Sequence, residues 1–504
     1  MKMKNNLLGY WVAALALVWA PGALHAETNY WNVADGNWHT PENWSLGTVP
    51  VGETIRIMNN GTNRLTGSYT YGPNGQQFSL GDAVGDTGNR GTLIIRKEND
   101  GDPQATLANF RVNSSLMVGF YGPGHLIIGG NSFANSGTYY SGPGQGQTGN
   151  NFIYVGMDWS PDSKYSGTID VLDNGSISHN IDPGVSGLEY SAAINVNNGT
   201  VNLNGENASI FVRSYVGVGA GIDRSGAIHA SVATGTVNVT KGTMTVQNTS
   251  DNPADLGIGS ANGGHGILNV NGGALVADRV TFWSAATNDA ARRGTFNVSA
   301  GTAEVGALRF NEWNAGHADA KAEVNLTGGT LTVSSVDVGS VGTRVLAMNG
   351  GTLKAGAAFT LASGLSAATL GNAGVTVDTD GFDVTIAQAL TNAAGATGVL
   401  TKSGAGTLTL GATNFYTGDT VVTQGVLKLT GPLCLSANTA VRLYTGAKLK
   451  LDFSGTNTVT SLYVNDVARY SGVYGAAELP DYIEGDGYLR TLTPAPPGTV
   501  VVLR

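Results

Sequence analysis

The chain has 504 residues, 74 of them glycine, with 12% charged side chains and a formal net charge of −9. An acidic chain of this kind has no general affinity for nucleic acid or for an anionic membrane surface. A single compact core rarely grows to this length, so the choice lies between several domains and one long repeat array.

Residues 1–26 read as a segment apart. Lys2 and Lys4 precede the apolar run Leu7 to Val18, and small Ala26 closes Leu24-His25-Ala26. That is the anatomy of a secretory signal peptide rather than of a membrane anchor. Its removal takes two of the 27 basic residues and leaves 25 against 36 acidic, net −11. No later apolar stretch approaches the roughly 20 residues that a helix needs to span a bilayer, so no transmembrane span is expected after signal removal. Cys434, in Leu433-Cys434-Leu435, is the only cysteine. An exported chain without disulfides draws its stability from ladders and packing, and Cys434 reads as a small buried apolar residue.

Residues 27–85 are expected to form a Trp-rich N-terminal cap. Trp31, Trp38 and Trp44 fall within one short stretch, and Glu53-Thr-Ile-Arg-Ile-Met58 follows as a strand of period two. Two readings of the tryptophans stand side by side. They cover the open edge of a first coil, which would otherwise recruit other chains. Or they offer indole faces to sugar rings, with Asn37, Glu42 and Asn43 taking hydroxyls.

From 86 to 394 one phrase recurs: glycine, usually threonine, then apolar, any, apolar. It appears as Gly167-Thr-Ile-Asp-Val, Gly199-Thr-Val-Asn-Leu, Gly235-Thr-Val-Asn-Val and Gly294-Thr-Phe-Asn-Val, and again further on as Gly406-Thr-Leu-Thr-Leu. Looser copies start at Gly91, Gly124 and Gly266. A unit that buries one face and repeats must stack on its own copies. The expected fold is therefore all-β, a parallel β-helix with an N-terminal Trp-rich cap and a C-terminal β cap. Endings such as Met117-Val-Gly119, Tyr154-Val-Gly156, Val216-Gly-Val-Gly219 and Leu256-Gly-Ile-Gly259 mark corners that call for glycine. Asn195, Asn202, Asn238, Asn269, Asn297 and Asn325 are expected to stack as amide ladders between coils. With coils of about 20–25 residues rising about 4.8 Å each, residues 86–430 would make a rod of roughly 70–80 Å. The one candidate helix is Ala315 to Ala322.

Residues 395–430 form the most specific unit. The run Lys402-Ser-Gly404-Ala-Gly406-Thr-Leu-Thr-Leu-Gly411-Ala-Thr-Asn414-Phe-Tyr416-Thr-Gly418-Asp-Thr420 continues through apolar residues and Gly425 to Leu429. Lysine, glycines, asparagine, aromatic and strands keep the register of the autotransporter-associated β-strand repeat, which the segment closely resembles. The resemblance implies a right-handed parallel β-helix of passenger type, exported to the surface or exterior of a bacterium, with the periplasm as the other compartment it allows. It marks Lys402, Gly404, Gly406, Asn414, Tyr416, Gly418, Thr420 and Gly425 as structural positions of the repeat. Gly418 is expected to hold a backbone conformation costly for any residue with a side chain. No series of alternating ~10-residue strands follows that would build an outer-membrane barrel, so self-transport is not expected. Residues 431–490 resemble the capping segment common after such repeats, and 491–504 read as a Pro-rich tail with a last strand.

Catalytic signatures are weak throughout. Asp378-Thr-Asp380-Gly381-Phe-Asp383 has the look of a calcium loop but lacks the remaining ligands and reads as a turn. Asp158-Trp-Ser-Pro-Asp162-Ser-Lys164-Tyr165 and Arg292-Arg293 offer the mixture a polysaccharide lyase uses, in stretches where solvated loop charge is the plainer reading. His39, His125, His179, His229, His265 and His317 are dispersed without metal-ligand spacing, and no nucleophile elbow or phosphate loop is present. The expectation is a non-enzymatic surface or extracellular protein with no cofactor and no metal, serving adhesion, matrix or cell-envelope structure. The alternative is a secreted polysaccharide lyase, glycoside hydrolase or glycan-binding protein on the same scaffold. Expected partners are cell-surface or extracellular glycans, or further copies of the chain, and not nucleic acid.

Overall fold

In the computed structural model each Gly-Thr phrase is one strand, and successive copies lie side by side as parallel neighbours. The structure describes residues 28–494 apart from 51–53, 58–61, 66–68, 72–77, 82–89, 97–108, 113–115, 120–121, 130–132, 137–152, 157–165, 180–193, 214, 220–233, 249–252, 260–263, 283–292 and 311–317. Within the phrase, period-two alternation sends the apolar residues inward and the Thr and Asn outward. Leu93, Leu126, Ile169, Val201, Val237, Leu268, Phe296 and Val324 are consequently buried one above another. The phrase glycines stack in the same register, Gly91 on Gly124, then Gly167, Gly199, Gly235, Gly266 and Gly294.

Each coil contributes strands to three such columns. The first begins at Asp35–Asn37 and Thr62–Leu65 and passes through the phrase strands to Thr391–Asn392. A second runs from Tyr69–Tyr71 to Ser461–Val464. The third runs from Thr28–Tyr30 to Ile483–Gly485. Two strands of 18 residues, His265–Phe282 and Arg293–Phe310, pass through the corners and cross all three columns, which merges them into one 35-stranded sheet. Six further strands, Phe359–Leu361 onward, extend the third column beyond Val338. The molecule is all-β and its ladders are overwhelmingly parallel: a parallel β-helix.

Corners bear out the valine–glycine reading. Gly119, Gly156, Gly219 and Gly259 all have φ between +63° and +80°. At Gly156 a Cβ would in addition fall on the Asn198 carbonyl of the next coil. Left-handed backbone and close coil contact coincide there, and only glycine meets both.

Three expectations need correction. The Gly406 phrase does not stack on the earlier copies: its strand, Thr407–Leu410, belongs to the third column, paired with Val384–Ile386 and Gly425–Leu429. A short Gly-Thr strand fits any face that follows a tight corner, so the phrase does not specify its column. The Ala315–Ala322 stretch is no helix where it is described, since Lys321–Leu326 is a strand paired on both sides. Coil length is also uneven. Gly124 and Gly167 are neighbours 43 residues apart and Gly266 and Gly294 are 28 apart, while Lys321 and Thr343 are only 22 apart. The early coils hold more residues between their paired strands, so residues 86–430 stack to about 55 Å rather than 70–80 Å.

The ends differ from the body. At the C-terminal end Ser461–Val464 pairs antiparallel with Val467–Arg469, and Gly472–Tyr474 pairs antiparallel with Tyr488–Thr491. These hairpin-like returns occupy edges on which a further parallel coil would otherwise add. No helix among the described residues is long and apolar enough to cross a membrane.

Candidate functional site

The polar residues of the 400–429 segment point inward, and their geometry says what they do. Alternation along Leu400–Ser403 places Leu400 and Lys402 inside the coil. Lys402 is fully buried, and its Nζ donates to Thr379 Oγ1 at 3.0 Å, the Ser403 and Gly404 carbonyls at 2.7 Å and the Gln424 carbonyl at 3.1 Å. One ammonium thus ties its own corner to the coils before and after it. Burial pulls its pKa down to about 8, and Asp378 nearby acts in the opposite direction.

Asn414 performs the same task at another corner. Its Oδ1 accepts from the Leu390 N–H at 2.8 Å, while Nδ2 donates to the Ala412 carbonyl at 3.2 Å and the Cys434 carbonyl at 2.7 Å. Tyr416 and Thr420 are buried together with their hydroxyls 2.7 Å apart, and burial pushes the phenol pKa upward. Gly404 and Gly425 adopt left-handed backbone, and a Cβ on Gly425 would strike the carbonyls of Gly404 and Gly406. Gly406 itself lies against the Phe382 carbonyl. Gly418 departs from expectation. Its φ is not left-handed; glycine is required because a Cβ would meet the Gly398 carbonyl beneath it. Close approach, not backbone strain, holds that position.

A family model described as the passenger-associated-transport-repeat matches residues 400–429. Repeat and parallel ladder together decide the matter. The chain is a parallel β-repeat protein that carries an autotransporter passenger-type repeat at residues 400–429. That repeat belongs to exported bacterial proteins of passenger type. Comparison with curated proteins and with solved structures gave no match.

Sequence reasoning missed two side chains of this β-repeat protein that repeat the Asn414 device. Gln388 Oε1 accepts from the Gly364 and Leu365 N–H groups at 3.0 Å each. Asn457 accepts from the Leu435 N–H at 3.0 Å and donates to its carbonyl at 3.1 Å. The spacing of Gln388, Asn414 and Asn457 by one or two coil lengths was the available signal.

On the outer face of the first column the asparagines form a directional ladder. Asn202 Nδ2 donates to Asp170 Oδ1 at 2.8 Å, Asn238 to Asn202 at 2.8 Å, Asn269 to Asn238 at 2.7 Å, Asn297 to Asn269 at 2.7 Å and Asn325 to Asn297 at 2.9 Å. Every amide donates toward the N-terminal end, so the donor end of the stack finishes on the Asp170 carboxylate. His125 Nε2 lies 2.6 Å from the other oxygen of that carboxylate. The His125 hydrogen bond, foremost, and that from Asn202 hold Asp170 below the usual carboxylate range. Asn195 is not part of this ladder: it lies in the third column, between Tyr154 and Gly217.

The tryptophans are inside. Trp31 and Trp38 are 0% exposed and Trp44 2%. Trp44 packs edge-on against both, with centroids 5.0 and 4.9 Å away, and its Nε1 donates to the Trp38 carbonyl at 2.9 Å. The indole faces are taken by one another and by the first coils, which corrects the sugar-stacking reading: none of the three presents a ring to solvent. Asp378, Asp380 and Asp383 make turns, not a cage. Asp378 Oδ1 accepts from the Asp380 N–H at 3.0 Å, Asp383 Oδ1 from the Thr407 N–H at 3.1 Å, and Asp380 lies 3.1 Å from Lys354 Nζ. Asp158, Asp162, Lys164, Tyr165 and Arg292 lie outside the described residues. Cys434 is buried, with Sγ 3.2 Å from the Leu410 carbonyl.

Proposed function

We propose that this β-repeat protein is a non-enzymatic exported stalk, serving adhesion, matrix or cell-envelope structure. The observation that supports this reading is the use made of polar side chains in the repeat. Lys402 and Asn414, and the asparagine ladder outside, direct their donors and acceptors at neighbouring coils, and the buried Tyr416 and Thr420 hydroxyls satisfy each other. A side chain saturated in that way is not available to move protons or bind a reacting group. The architecture gains a long and regular surface, stabilised rung by rung, on which partners at the cell exterior are held at a distance from the envelope.

The test is a panel assay with the chain from residue 27 onward against pectin, alginate and glycosaminoglycans. No release of reducing ends or unsaturated products is expected. Sustained release would overturn the non-enzymatic reading, and its loss in Asp158→Ala or Asp162→Ala would locate the site. Labelling of intact producing cells with an antibody to the chain should give surface signal. Signal that appears only after the cells are permeabilised would contradict surface display.

A further inference from the structure

The register that stacks the phrase glycines also stacks the residue before each of them. Thr234, His265, Arg293, Lys321 and Thr343 occupy that position on five successive coils. Three in a row are basic or protonatable, in a chain with only 12% charged residues and a net negative charge. Like charges directly opposed on neighbouring strands destabilise a sheet, so this stacking is unfavourable for the fold by itself. Its effect is visible at His265, whose pKa is held below its ordinary value by burial first and then by Arg293 and Lys321, with Glu323 opposing. Glu323 is already engaged 2.7 Å from Lys321 Nζ. Arg293 is exposed and makes no ion pair among the described residues.

The geometry suits one class of partner. Neighbouring coils are separated by about 4.8 Å, so the strip presents a line of donors parallel to the helix axis at close, even spacing. A linear polymer carrying one anionic group per sugar would lie along it. The Arg293 guanidinium forks onto a carboxylate or sulfate with two parallel hydrogen bonds, Lys321 and His265 approach the groups on either side, and the Thr234 and Thr343 hydroxyls flank the ends. Nucleic acid is the poorer fit. Its affinity comes from neutralising many phosphates, and one unpaired guanidinium, a lysine shared with Glu323 and an imidazole of lowered pKa leave most of them unmatched. We infer that His265, Arg293 and Lys321 form a docking strip for a linear acidic polysaccharide. The inference rests on the exported reading above, which places the strip where such polymers occur.

The experiment is affinity electrophoresis of the chain from residue 27 onward in gels containing polygalacturonate, chondroitin sulfate or neutral dextran, at low and moderate salt. Retardation by at least one acidic polymer, weakening with salt and absent in dextran, is expected. Arg293→Gln should weaken it at least five-fold and Lys321→Gln measurably, while Lys448→Gln, which alters a lysine on another column, should leave it unchanged. Arg293 is exposed and its replacement relieves repulsion, so the variant should melt no lower than the parent. A loss of retardation accompanied by a lower melting temperature in Arg293→Gln but not in Lys321→Gln still supports the strip if Lys321→Gln weakens binding. Absence of retardation in both acidic polymers would overturn the proposal. So would equal retardation of parent, Arg293→Gln and Lys321→Gln, or tighter binding of a single-stranded oligonucleotide than of either polymer. Cleavage of a polymer that is still retained through Arg293 would refute the non-enzymatic function and leave the strip standing.

Discussion

Lys402 shows what a repeat residue does at the level of single atoms. Its ammonium serves three backbone carbonyls and a hydroxyl on three coils, and Lys402→Met would take the side-chain donor from the Gly404 and Gln424 carbonyls, while the Ser403 carbonyl keeps the Thr379 N–H. The expected loss is about 2–4 kcal/mol, read as a drop in chemical-denaturation midpoint. The pH dependence follows from the depressed pKa. Between about 8 and the ordinary lysine value the unfolded chain binds more protons than the folded one, so this group's contribution to stability rises with pH across that window. The stability difference between parent and Lys402→Met should therefore widen from pH 8 to pH 10, and a constant difference would show that the ammonium is not destabilised by burial. Asp170 runs the other way. Its lowered pKa contributes stability that is present above the usual carboxylate range and lost as pH falls through the folded value. Asp170→Asn should then be less stable than the parent at pH 7, and the difference should shrink as pH falls below the ordinary carboxylate range. The lysine was legible in sequence as a motif position. Its burial was not, because a single strand shows only that position 402 faces inward, not that carbonyls from two other coils converge there.

At the scale of the element, corners and ladders carry the load. Gly156→Ala combines left-handed backbone with a collision against the Asn198 carbonyl, and should destabilise by at least ~2 kcal/mol. Gly418→Ala should also destabilise, through collision with the Gly398 and Thr397 carbonyls and without left-handed backbone. The same residue type was expected at both places for one reason and is needed for two, since sequence shows that a side chain is absent but not which atom would have met it. Breaking the amide ladder at its middle, Asn269→Leu, unpairs Asn238 Oδ1 and Asn297 Nδ2 and should lower stability by about 1–2 kcal/mol. The double variant with Asn297→Leu should lose less than the sum, because the two share a bond. Strict additivity would mean the amides act independently. The ladder was readable from the recurrent asparagine within the phrase. Its termination on Asp170 and His125 was not, since the histidine sits diagonally, one coil away and two positions off. The tryptophan cluster belongs to this scale as well. Removing residues 27–50 takes away Trp31, Trp38 and Trp44 and uncovers the first coils, so the truncated chain should self-associate where the parent stays in solution. A monomeric truncation melting with the parent would count against a covering role.

For the molecule as a whole, the parallel β-helix was legible from the repeated Gly-Thr phrase, because glycine, threonine and alternating apolar residues fit few other arrangements. Coil length was not, because one coil rises by the same step whatever number of residues it holds: the early coils take up to 43 residues for the step that later ones make in 22. The account stands or falls on residues distant in sequence being evenly stacked along one axis. Spin labels test this directly in a Cys434→Ala background, at positions facing outward on one register line through Thr92, His125, Thr168, Thr200, Thr236, Ile267, Thr295 and Glu323. Labels at Thr168 and Glu323 are five coils apart and should give a backbone separation of about 24 Å, and labels at Thr92 and Glu323, seven coils apart, about 34 Å. Two narrow distributions differing by about 10 Å are the result this account requires. Broad distributions, or separations that do not grow with the number of intervening coils, would contradict it.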